Sequence, residues 1–246
     1  MTRQSFDGVA AEYDAVRPDY PAQLYDALES AMGQPLLWSR VCDVGAGTGI
    51  SSRALAGRGA TVTAVDPGEG VLRVLRQRST SRVHPVAGDA NALPLADGVF
   101  DLVSFAQSFH WTDPDRSLAE AFRVLRPGGL LALWWNRHDL TVPWYARHQE
   151  RLFRACGWSG YDDESWVADL LAGPPWEKRA ATVEIPWSRR LSLADFGRTI
   201  ATKSYVFSLG EGAEAVVRDE ISTLALEHPG GYVDEPFTTY ALMCRS

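Results

Sequence analysis

The chain has 246 residues, 46% of them hydrophobic, enough to bury one sizeable core. Lys and Arg number 24 against 31 Asp and Glu, and the net charge of -7 repels a phosphate backbone, which argues against a nucleic-acid partner. The start, MTRQSFDGVAAEYD, lacks the apolar stretch of a signal peptide, and the longest strongly apolar run, Leu130 to Trp135, is too short to span a bilayer; no membrane association and a cytoplasmic location are expected.

Residues 1–33 contain AEYDAVRPDYP and then an amphipathic stretch with Leu24, Ala27, Leu28 and Ala31, read as helices that cap the sheet or close over a ligand. From residue 39 to 135, short β-branched apolar runs alternate with helical stretches, the signature of βαβ units and a parallel sheet. Strands are predicted at Arg40 to Val44, Thr61 to Val65, Val83 to Ala87, Phe100 to Ala106 and Leu130 to Trp135. Asp113 followed by Pro114 reads as an N-cap and first turn, and Leu118, Phe122 and Leu125 share one helical face until RPGG stops it. Beyond residue 136 the rhythm breaks into helices near 142–155, 192–201 and 212–227, with strand-like ATVEIPWSRRL among them and FTTYALMC near the end. Seven of the nine tryptophans fall between Trp134 and Trp187, as the core of a helical insertion or the wall of an apolar pocket. Cys42, Cys156 and Cys244 stand in no metal or disulfide spacing, and no metal is expected.

The first strand runs into VCDVGAGTGI, with glycines at 45, 47 and 49. Glycines at the carboxyl edge of a parallel strand let backbone approach a ligand closely. The spacing G-A-G-T-G is not the G-x-G-x-x-G of a dinucleotide site, which disfavours a nicotinamide oxidoreductase, and no Gly-Lys-Ser/Thr follows to make a phosphate loop. Asp43 inside the strand suits a ligand with positive charge. Asp66 ends the second strand where such folds place a carboxylate on ribose hydroxyls, and Asp89 follows the third in a turn beside Ala90, placed to meet a base edge.

These segments, together with VTAVDP, VAGDANALPLADGVFDLV, FAQSFHW and EAFRVLRPGGLLAL, resemble the class I S-adenosylmethionine-dependent methyltransferases of the small-molecule type 11 family. The resemblance implies an α/β, Rossmann-like, seven-stranded and mostly parallel sheet of order 3-2-1-4-5-7-6, with helices on both faces and a helical cap. It implies one domain over 1–246: lid helices 1–33, a cofactor-binding core 34–136, a helical Trp-rich substrate side 137–230 and a C-terminal edge strand 231–246. S-adenosylmethionine would meet Gly45, Ala46, Gly47, Thr48 and Gly49 with its methionine portion, and Asp43 near the ammonium. Asp66 and Pro67 would face the ribose, and Gly88, Asp89 and Ala90 the adenine. Ala106 and Gln107 would flank the sulfonium. Tyr13 and Arg17 would come from the lid, with Arg17 on the cofactor carboxylate.

The acceptor side is less marked. FAQSFHWTDP is not the Asn/Asp-Pro-Pro-Tyr/Phe segment that grips a planar amino group, which argues against DNA adenine or protein glutamine as acceptors. A base is needed only where the acceptor must lose a proton. His110 and Tyr13 are the candidate catalytic residues, His138 with Asp139 a third, and His110, Trp111 and Trp135 are expected beside the substrate. A small-molecule methyl acceptor and a monomer or homodimer are expected. The alternatives are a cofactor-binding regulator or cyclase that transfers no methyl group, and an RNA or protein methyltransferase.

Overall fold

Five apolar runs form parallel strands: β1 (Arg40–Val44), β2 (Thr61–Asp66), β3 (Val83–Ala87), β4 (Phe100–Ala106) and β5 (Leu125–His138). The computed structural model describes residues 16–159 and 180–246, so Tyr13, Trp166 and Trp176 lie outside the described residues. Two long strands, β6 (Ala180–Ser192) and β7 (Tyr232–Arg245), complete a seven-stranded sheet of order β3-β2-β1-β4-β5-β7-β6, in which β7 is antiparallel to both its neighbours. The order matches expectation. The C-terminal strand, however, is not at the edge: β7 pairs with β5 on one side and β6 on the other. Edge strands tolerate proline, whose missing N–H would break a central ladder. Pro85 and Pro186 lie in the two edge strands, β3 and β6, while Pro127 and Pro236 of the inner β5 and β7 fall outside the β4–β5 and β5–β7 ladders.

Side chains alternate across each strand and build two cores. On one face Val41, Val62, Leu102 and Ala132 meet α1 (Ala22–Met32), α2 (Ile50–Gly57) and α3 (Glu69–Arg78) through Leu24, Leu28, Leu55 and Leu75. On the other, Val44, Val103, Phe105 and Leu133 meet α4 (Pro114–Val124) through Leu118 and Ala121. Leu24, Tyr25 and Leu28 are buried, so residues 22–32 of the expected lid are a layer of the core. The expected cap of α4 is present, with Pro114 in the first turn and the Asp113 side chain accepting the Arg116 N–H at 3.2 Å. The helix stops at Val124, and RPGG falls in the opening of β5, where the pairing register with β4 shifts.

Beyond the sheet, α5 (Pro143–Cys156), α6 (Leu193–Ala201), α7 (Ser204–Phe207) and α8 (Ala213–Glu227) share a third core that includes Tyr145, Leu152, Phe196, Ile200 and Leu224. Trp144 lies edge-to-face on Tyr145 and Phe196 there, Trp134 and Trp135 are buried in the sheet cores, and Trp187 stacks on Phe237. Among the described residues the tryptophan density is therefore mostly packing. No described helix is long and apolar enough to cross a membrane.

Candidate active site

The strand register lines up the predicted acids. Val44 is level with Val65, and Asp66 with Ala87, so the turn after β1, the end of β2 and the turn after β3 meet along one sheet edge. The β1 turn is made by backbone. Gly45, Gly47 and Gly49 have φ of +68°, +57° and +87°, a region that costs other residues steric strain. A Cβ on Gly45 would fall 2.4 Å from the Ser108 Cβ, whereas one on Gly47 would meet nothing within 4 Å. The turn is thus clamped from below and open on its outer side. Gly45 and Ala46 donate their N–H groups to Val65 O, and Ser108 Oγ donates to Val44 O at 2.6 Å.

Asp66 ties the two turns together: its Oδ2 accepts the Gly47 N–H at 2.9 Å and its Oδ1 the Gly68 N–H at 2.8 Å. Asp89 is exposed and accepts the Asn91 N–H at 2.9 Å, which fixes the turn that carries Gly88 and the buried Ala90. Pro67 and Thr48 follow the same two turns, and Thr48 is buried.

Asp43 sits deeper than expected. It is fully buried, and Ser52, Ser104 and Ser51 hydroxyls approach it at 2.6, 2.8 and 3.4 Å. Burial pushes its carboxyl up to about 6, against the pull of the three hydroxyls. It braces the floor of the turn between β4 and α2. Sequence reading missed the three serines; a carboxylate on an otherwise apolar strand is the signal that it needs partners.

After β4, Gln107 adopts φ +58°, rare for a residue with a side chain, and donates its N–H to Trp134 O at 2.9 Å. Its side-chain amide donates to Asn136 O at 3.3 Å. Ala106 is level with Trp134 at the end of β4. Trp111 is half exposed. Trp135 does not line the substrate side: strand alternation turns its ring into the core shared with Phe105 and Phe109, and its Nε1 donates to His110 Nδ1 at 3.3 Å. With Nδ1 accepting, the imidazole proton sits on Nε2, so His110 presents a donor rather than the lone pair of a base. Asp139 closes a turn, accepting from Thr141.

A cavity of about 70 Å³ opens between Gln107, Asn136 and His138 on the sheet and Thr202 and Lys203 at the end of α6, with Arg17 beside it. Its wall is a charged cluster that sequence reading missed apart from Arg17, Gln107 and His138. Arg189 and Glu235 are direct partners across β6 and β7, with Arg189 Nε donating to Glu235 Oε2 at 2.7 Å. His138 Nε2 lies 3.1 Å from Glu235 Oε1, and its ring is held between Tyr145 and Phe237. Burial drives His138 down to about 4, so Nε2 carries the hydrogen that Glu235 accepts. Burial works to raise Glu235, but the His138 hydrogen bond and the charges of Arg189 and Lys203 hold it at about 2. The signal was available in β7, where Glu235 takes an inward position between Val233 and Phe237 at period two.

The sequence pattern of the family described as a methyltransferase domain, of the type 11 kind, matches residues 42–133. An uncharacterized methyltransferase of Mycobacterium bovis is 33% identical over 225 residues, 92% of this chain and 87% of the relative. A demethylmenaquinone methyltransferase of Renibacterium salmoninarum is 37% identical over 173 residues, 63% of this chain and 71% of that one. A protein from Anaeromyxobacter dehalogenans, solved as a candidate type II methyltransferase, superposes with a TM-score of 0.66 at 24% identity, over 93% of this chain and 96% of that one.

Proposed function

The chain belongs to the type 11 family of class I S-adenosylmethionine-dependent methyltransferases, and from that premise we propose that it uses S-adenosylmethionine to methylate a small-molecule acceptor. The observation that carries this is the Gly45–Gly49 turn, clamped by Ser108 and Val65 beneath, open above, with the Asp66 carboxylate at its rim. The parts fit the cofactor's chemistry. Asp66 offers carboxylate oxygens to a diol, the turn of Gly88, Asp89 and Ala90 offers polar groups to a base edge, and the glycine turn lets an amino-acid tail lie against backbone. The small-molecule acceptor is supported by the Renibacterium relative, which acts on demethylmenaquinone by its name.

Bound S-adenosylmethionine supplies a methyl group on a positively charged sulfur, open to in-line displacement. Within the site Asp66 and Pro67 would hold the ribose, Gly88, Asp89 and Ala90 the adenine, and Gly45, Ala46, Gly47, Thr48 and Gly49 the methionine portion. Ala106 and Gln107 would stand by the sulfur, and Arg17 by the cofactor carboxylate. Asp43 acts through the floor of the turn, where its negative field favours a cationic ligand. Holding an acceptor at attack distance, away from water, is the main catalytic demand. His110 serves as a positioning residue between Trp135 and Trp111, stacked at a tilt on the latter with ring centroids 5.1 Å apart.

Calorimetric titration with S-adenosylmethionine, followed by detection of S-adenosylhomocysteine over a panel of acceptors, tests this. Saturable binding and product formation are expected. No heat at millimolar cofactor would contradict the cofactor assignment, and binding without product on any acceptor would favour a non-methylating protein.

A further inference from the structure

The cavity beside Gln107 has an unbalanced charge. Arg17 is assigned to the cofactor carboxylate; of the other described charged groups lining the cavity, Arg189 and Lys203 face Glu235, and with His138 neutral these carry a net charge of plus one against minus seven for the whole chain. Arg189 is committed: besides Glu235 it donates to Val16 O at 2.9 Å. Lys203 differs. Its Nζ donates to Tyr145 OH at 3.1 Å, and a protonated amine has three hydrogens to give. It reaches the cavity from the end of α6, with Thr202 next to it and Thr199 one turn back.

We propose that this cavity seats a carboxylate of the methyl acceptor, with Lys203 as its counter-charge, so that the acceptors are small organic acids; the inference rests on the methyl-transfer reading above. Three observations converge on it. The cavity is lined by Gln107, which follows the strand end assigned to the sulfonium, so a group seated there lies close to the transfer position. The cavity, of about 70 Å³, has room for a planar carboxylate. The surplus positive charge sits in a partly buried place, where an incoming anion is favoured over a neutral group.

The lysine responds to the same surroundings. Burial brings Lys203 down to about 8; Glu235 opposes this, while Arg17 and Arg189 add to it. Glu235 at about 2 and His138 at about 4 keep their charge states above neutrality, so Lys203 is the member of the cluster that changes charge near pH 8. A seated carboxylate favours the protonated amine, and its affinity falls as pH rises past about 8.

The experiment uses the full chain saturated with S-adenosylhomocysteine, whose own carboxylate then occupies its place. Benzoate, succinate and octanoate are titrated against their amides and against inorganic phosphate, by calorimetry and ligand-detected NMR. At least one acid is expected to bind in the millimolar range or tighter at pH 7, about tenfold better than its amide. Lys203→Met weakens that binding about tenfold or more and Lys203→Arg restores it, with S-adenosylhomocysteine affinity unchanged in both. The proposal is overturned if acids and amides bind alike, if phosphate alone binds, if none of the acids binds, or if Lys203→Met changes nothing while the melting temperature shows it folded. Displacement of the acid by S-adenosylhomocysteine would overturn it too, by making this the cofactor's own carboxylate site. Failure of the cofactor reading is separate: S-adenosylhomocysteine itself would not bind.

Discussion

The two ends of the sheet's carboxyl edge are built in different ways. At the β1–β3 end the site is backbone: three glycines in left-handed conformations, a turn after each strand, and one carboxylate, Asp66, that accepts two main-chain N–H groups. At the β5–β7 end it is side chain: Arg189, Glu235 and His138 come from three strands and are fixed by one another, and Lys203, past the end of α6, is held by Tyr145. A backbone site tolerates little variation and suits a ligand that every relative shares. A side-chain site is altered by single substitutions and suits a ligand that differs from one protein to the next.

If the ends are independent, damage to one leaves the other intact. The largest effect is expected from Glu235→Ala, which strands the partly buried Arg189 and costs about 3–5 kcal/mol. Thermal unfolding should fall by roughly 10 °C, while S-adenosylmethionine affinity stays within about threefold. The pH dependence has a definite sign. Glu235 is depressed from 4.5 to about 2, so its stabilisation is complete above pH 4.5 and is lost as pH falls toward 2; the gap between wild type and variant narrows over that range. Cofactor affinity that falls with stability would merge the two ends.

Asp66→Ala should weaken cofactor binding about ten- to a hundredfold, since charge-assisted hydrogen bonds are worth about 1.5–3 kcal/mol, and should spare acid binding at Lys203. An unchanged cofactor dissociation constant would remove Asp66 from the site. Asp43→Asn sharpens the comparison from below. Because Asp43 is raised from 3.8 to about 6, the native state takes up a proton that the unfolded chain does not, and wild-type stability falls as pH rises from about 4 to 6. The variant lacks this penalty. Its melting temperature should exceed that of wild type by a few degrees at pH 7.5 and match it below pH 4, at the expense of cofactor affinity. The smallest effect belongs to His110→Gln, where the new side-chain carbonyl can still accept from Trp135 Nε1: turnover is expected to change less than about threefold, and a loss of about a hundredfold would make His110 the base.

The same contrast decides what could be read before the structure. β1 to β5 are local: each is an apolar run, β1, β2 and β3 are closed by glycine, aspartate or proline, and the acids that matter stand a fixed distance from those runs. Asp113 and Pro114 start α4 for reasons contained in four residues. The charged cluster is not local. Arg189 and Glu235 meet only because β6 and β7 pair antiparallel, and Lys203 joins them only because α6 returns over the sheet. Trp135 misled for the related reason that an aromatic at a strand end has two faces to choose between, and the neighbouring Trp134 took the other one.

Amide hydrogen exchange with and without saturating S-adenosylhomocysteine tests the central claim most directly, because it reports on the backbone that is held to make the cofactor site. Protection is expected first over residues 44–50, 66–68 and 88–91, with residues 193–207 changed least. A glycine turn that exchanges equally fast with and without the ligand would contradict the account.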